Sequence, residues 1–128
     1  GIFYNDATTK KPTFANFYNQ PITPANSEDI TAFVIDNPNQ LFVASIDTAA
    51  AQAEYGKTYG LTVTAAGSDL SGQSSSELTY ATRHATNNQW RLVRTAEDPE
   101  NNDIAAANCS VVVAHNLNQY FTGAVTWQ

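Results

Sequence analysis

The residues best able to do chemistry crowd into one stretch, "RLVRTAEDPENND" (Arg91–Asp103), where Glu97, Asp98, Glu100 and Asp103 stand around Pro99. Such a cluster could hold a cation, work as an acid–base pair, or cross between two strands in water. A calcium loop sets ligands at alternating positions, turns on a glycine at the sixth and closes on a glutamate at the twelfth. Counted from Asp98, the sixth position is Asp103 and the twelfth is Cys109, so that pattern fails. A glycosidase pair needs two carboxyls about 5–10 Å apart across a cleft. Here the acids share one loop with Pro99, Asn101 and Asn102, all turn formers, which favours a solvated connection over a cation site or catalysis.

The remaining chemical candidates are thinner. His115, in "VVVAHN", shares a face with Val111 and Val113 in a regular strand and reads as a core or rim residue rather than a ligand. His84, in "TRHATNNQ", reads as exposed loop. With Cys109 they make three soft ligands at neither C-x-x-C nor H-x-x-x-H spacing, so no zinc site is expected. "GQSSSE" (Gly72–Glu77) has Ser76 where a nucleophile elbow needs its second glycine, and "AAGSDLSG" lacks the lysine and helix of a phosphate loop. The sequon Asn108-Cys109-Ser110 reads as chance. No catalytic residue, cofactor or metal is expected.

The elements that must position these residues are strands. "ITAFVID" (Ile30–Asp36), "LFVASID" (Leu41–Asp47), "YGLTVTA" (Tyr59–Ala65), "SELTY" (Ser76–Tyr80), "WRLVRT" (Trp90–Thr95), "SVVVAHN" (Ser110–Asn116) and "AVTW" (Ala124–Trp127) are short, rich in β-branched and aromatic residues, and mostly alternating. In the third, Leu61, Val63 and Ala65 should face one way and Thr62 and Thr64 the other. Turn-forming runs such as "DNPNQ", "TNNQ" and "EDPENND" separate them. One helical candidate, "DTAAAQAEYG" (Asp47–Gly56), with Asp47 as its cap, is long enough for only one or two marginal turns. The expectation is all-β: a small antiparallel β-barrel or sandwich with an extended N-terminal arm and little helix.

That arm is residues 1–26, ahead of a β-barrel or sandwich body at 27–128. Pro12, Pro21 and Pro24 exclude a continuous helix there, yet Phe3, Tyr4, Phe14, Phe17 and Tyr18 make it too aromatic for a plain linker. Fully extended, it would reach roughly 85 Å. It either covers its own body or is ordered on a neighbouring molecule. The five aromatics are the residues expected to make partner contact. Two lysines and one aspartate leave this stretch at +1, so the rest of a chain of net charge −6 carries −7. That balance is poorly suited to neutralising phosphates, and no nucleic-acid partner is expected. No apolar run approaches the roughly 18–20 residues of a membrane helix, and no basic segment leads into an apolar one, so neither a membrane partner nor a secretory leader is expected. A single cysteine forms no internal disulfide.

Residues 36–120 resemble the small cement, or head-decoration, proteins of tailed bacteriophages. The resemblance rests on "DNP" leading into a strand, "YGKTYGL" turning into the next, "GSDLSGQS" before "EL", "RLVRTAEDPENN", and a final Val-rich strand ending "HNLNQY". It implies a non-enzymatic structural protein of the virion, made in the host cytoplasm and bound to the outer capsid surface. There it would reinforce contacts between major capsid protein subunits, with other copies of itself beside it, as trimers on the capsid. It also implies that the carboxylate cluster is a turn between two strands. Residues 1–26 lie outside the resemblance. A tail or fibre β domain is the first alternative. A carbohydrate-binding β module, drawing on Trp90, Trp127 and the tyrosines, is the second.

Overall fold

The computed structural model describes residues 1–18, 22–63, 66–68 and 70–117. Eight strands are formed among these residues: β1 (Ile2–Asn5), β2 (Pro12–Ala15), β3 (Thr31–Ala32), β4 (Leu41–Ile46), β5 (Thr58–Val63), β6 (Ser76–His84), β7 (Trp90–Thr95) and β8 (Ser110–His115). Helix among the described residues is limited to two 3-10 turns, Ala25–Ser27 and Gln52–Glu54. The chain is all-β, as its alternating, β-branched segments require. The expected strand at 124–127 lies outside the described residues, as do Thr64 and Ala65.

Two compact units are present, one formed by Gly1–Asp36 with Ala66–Ser74, the other by Asn37–Ala65 with Ser75–Gln128. The division thus falls after Asp36 rather than after Asn26. In place of an arm extended from end to end, the first unit holds a three-stranded antiparallel sheet ordered β2-β1-β3. The hairpin forms because Asp6 accepts hydrogen bonds through Oδ1 from the N–H groups of Thr8 (2.8 Å) and Thr9 (2.7 Å). Lys10 then takes a left-handed φ of 58°, and the turn closes with Asp6 N–H donating to the Lys11 carbonyl at 3.0 Å. The prolines do break helix, but Pro12 sits on an edge strand, where its missing N–H costs the sheet nothing.

The second unit is a closed barrel with strand order β4-β6-β5-β7-β8. Its pairings are antiparallel except for β4 with β6, which run parallel through only two residue pairs, Ser45–Glu77 and Ile46–Leu78. Asp47 reinforces this seam. It does not cap the short turn after it, whose cap position is Ala51; instead its N–H donates to the Leu78 carbonyl (3.0 Å) and its Oδ1 accepts from the Tyr80 N–H (2.9 Å). Ile46, Tyr59, Leu78, Leu92, Cys109, Val111 and Val113 fill the barrel. Leu61 and Val63, expected to share an apolar face, are both exposed; Thr58 and Tyr59, earlier on the same strand, are the buried residues of β5. Thr58 Oγ1 donates to the His84 carbonyl and accepts from the Asn88 N–H, beside an irregularity in the β5–β6 register.

Candidate interaction surface

Alternation along β1 sorts the first unit into two faces. Ile2 is buried on one of them, and Tyr4 shares its side half-buried. Phe3 takes the opposite face and stands directly across from Phe14 on β2, with ring centroids 4.8 Å apart. Phe33, one residue past β3, is bonded to the Gly1 backbone, N–H to carbonyl at 2.8 Å, and stacks on Phe14 at 6.1 Å. Phe14 remains 74% exposed and Phe33 56%, and Val34 and Ile35, next in the chain, are exposed at 79% and 60%. A contiguous exposed apolar face of this kind marks a contact site more strongly than scattered single residues.

Of the five aromatics expected to meet a partner, the structure therefore brings Phe3 and Phe14 together. Tyr4 faces the other way, and Tyr18 is exposed beyond the end of β2. Phe17 is spent within its own unit: its ring lies where a Cβ on Gly72 would be, and Gly72 has a left-handed φ of 70°. Sequence reasoning missed Phe33, which was assigned to an ordinary barrel strand. The signal was available in "AFVI" (Ala32–Ile35), four consecutive apolar residues where a half-buried strand needs only alternate ones.

The carboxylate stretch forms the connection between β7 and β8. Asp98 Oδ1 accepts from the Glu100 N–H (3.1 Å) and Asp103 Oδ1 from the Ala105 N–H (2.9 Å). Glu97 pairs with Arg94 at 3.3 Å. Asn101 ties the loop down, donating through Nδ2 to the Asn108 carbonyl and to Ser110 Oγ. These acids build turns, and among the described residues no cluster of three or more metal-ligating side chains occurs. Cys109 is fully buried, and burial, aided by Asp103, pushes its thiol up. Asn108 carries a left-handed φ of 59°, a turn role that the sequon reading did not anticipate.

At the far ends of β7 and β8, His115 packs on Trp90 with centroids 4.4 Å apart, and Phe42 meets both edge-on at 5.4 and 5.3 Å. Trp90 is half-buried and His115 covers part of its ring, which leaves a poorer platform for a sugar than an open indole would. Trp127 lies outside the described residues. His84 is exposed at the end of β6, its Nδ1 accepting from the Thr86 N–H. Elsewhere on the barrel, Glu54 lies 2.8 Å from Lys57 and 3.7 Å from Arg83, whose guanidinium sits over the Tyr80 ring. Tyr59 is buried; burial first, and the Glu54 charge second, push its hydroxyl up to about 12.

No protein-family model matches the chain, and no curated protein or solved structure matches it.

Proposed function

We propose that this chain is a capsid cement protein: a non-enzymatic virion component that binds the outer surface of the major capsid protein lattice and holds neighbouring molecules together. The observation that carries this reading is the outward aromatic face of Phe3, Phe14 and Phe33. Large exposed rings supply contact area at low entropic cost, and aromatic residues dominate the centres of protein–protein interfaces. The resemblance over residues 36–120 supports the same reading. A protein that binds only the assembled lattice stabilises it by mass action, and many repeated copies let modest contacts add up. Its partners are then the shell protein and other copies of itself, with neither nucleic acid nor membrane involved, and its place is the outside of the virion.

The test is rebinding to particles that lack the protein, with copies per particle counted by mass and located by cryo-microscopy. The unmodified chain saturates a regular set of shell positions. The double variant Phe3→Ser, Phe14→Ser binds at least about tenfold more weakly, the loss expected for interface anchors. Full occupancy by that variant at the same concentration would remove the aromatic face from the mechanism. Density on the tail instead of the head would favour the alternative of a tail or fibre domain.

A further inference from the structure

The neighbour met by the aromatic face can be named from charge. Lys10 and Lys11 form the tip of the β1–β2 hairpin, exposed, and among the described residues neither takes part in an ion pair. Asp6 offsets one of them, so the tip is left with a single positive charge beside the aromatic face. Phe14 is three to four residues along the chain from these lysines, a span of at most roughly 10–14 Å. A partner surface that fits must offer apolar side chains with carboxylates about that far away.

The barrel of this same chain offers one. Along β4, Phe42 and Ala44 pack against the core, which turns Leu41 and Val43 outward at 47% and 70% exposure. Val43 lies opposite Val112, which is covered, and Val112 opposite Arg94 on the strand that leads into the acidic loop. Val93, at the irregularity in that pairing, adds an exposed side chain. Past Val93 and Arg94 the chain leaves β7 at Thr95 and bends at Glu97, and Asp98, Glu100 and Asp103 follow. Arg94 pairs with Glu97; among the described residues the other three acids have no cationic partner. The sign matches the hairpin, and the acids lie a few residues along the chain from exposed Val93.

We propose that the aromatic face and lysine tip of one copy dock on the Leu41–Val43 face and acidic β7–β8 loop of a second copy. The two surfaces differ, so the contact is head-to-tail and closes into a ring where the rotation between copies allows. The proposal deepens the reading of the aromatic face as a contact site but does not depend on the capsid, because it concerns copies joining one another. Buried rings supply the anchor; the lysine–carboxylate pairs set register and make association salt-dependent.

The experiment uses the full chain, mixed as light and isotope-heavy protein at high concentration and treated with a zero-length carbodiimide that joins amines to carboxylates. Mass spectrometry then reads which lysine is joined to which acid, and whether one or both isotopes are present. The expected result is mixed-isotope products linking Lys10 or Lys11 to the 97–103 segment, reduced at least about tenfold by Phe14→Ser. Lys10→Glu with Lys11→Glu should abolish sedimentation above the monomer, and adding Glu97→Lys and Glu100→Lys to that chain should restore it. Circular dichroism confirms that each variant is folded. Only single-isotope links, no links, or no restoration by the charge exchange would overturn the proposal. Particle rebinding is scored separately, so copies that join without binding shells would sink the cement reading alone, and shells decorated without these links would sink this one alone.

Discussion

Asp6 holds a turn together with its charge. Its carboxylate accepts the N–H groups of Thr9 and Thr8, and these bonds, the Thr9 bond foremost, hold it below the usual value of 3.8. A depressed carboxyl contributes stability that is complete above its unfolded value and lost as pH falls through the lower folded one. The Thr8 and Thr9 amide resonances should therefore shift as pH drops below 3.8, and Asp6→Asn, which keeps an acceptor but no charge, should remove that pH dependence. Tyr59 works in the opposite direction. Its folded value is raised from 10.0 to about 12, so the unfolded chain ionises first and stability falls between those pH values. Tyr59→Phe should flatten that alkaline slope in denaturation curves. At this scale the residue types were legible and their partners were not. Phe3 and Phe14 could be picked as aromatics in a proline-rich stretch, but Asp47 bonds a strand more than thirty residues away, at Tyr80. Nothing local to "SIDTAA" distinguishes that from a helix cap.

Among the elements, β4, β7 and β8 coincide closely with the segments expected from alternation, because each has one face in the barrel core and its pattern reports that face. "ITAFVID" misled because its apolar residues lie outside the barrel core: Thr31–Ala32 form the strand, Phe33 bonds the Gly1 backbone beyond it, and Phe33, Val34 and Ile35 are exposed. The N-terminal hairpin was hidden because three prolines outweighed a turn signal, "NDATTK", that needs only one aspartate and one left-handed residue. The parallel β4–β6 seam could not be read at all, since pairing order is set by the whole barrel and not by any one strand. The seam's brevity makes Asp47 valuable. Asp47→Ala should cost about 2 kcal/mol by chemical denaturation, the range for a bond to a charged acceptor, and should speed hydrogen exchange at the Tyr80 amide.

At the scale of the whole molecule, the barrel has its own core and the N-terminal sheet its own faces, so their losses should be separable. Leu92→Ala, at a fully buried position, should cost about 3 kcal/mol, a large part of the roughly 5–15 kcal/mol that holds a domain folded. Removing Gly1–Asp36 should leave the near-ultraviolet circular dichroism of the barrel intact while abolishing attachment to particles. The order in which the barrel closes has a further effect. Among the described residues, Leu41–Ala44 pair with no strand but β8, and Leu41 lies opposite Ala114. During synthesis that half of β4 leaves the ribosome long before Ser110–His115 exists to cover it, and non-local pairing of this kind is slow. Until then its bare edge is open to strands of other nascent chains, so crowded polysomes should lose product to aggregates, and slowing translation through the intervening stretch should lower the yield of folded protein instead of raising it.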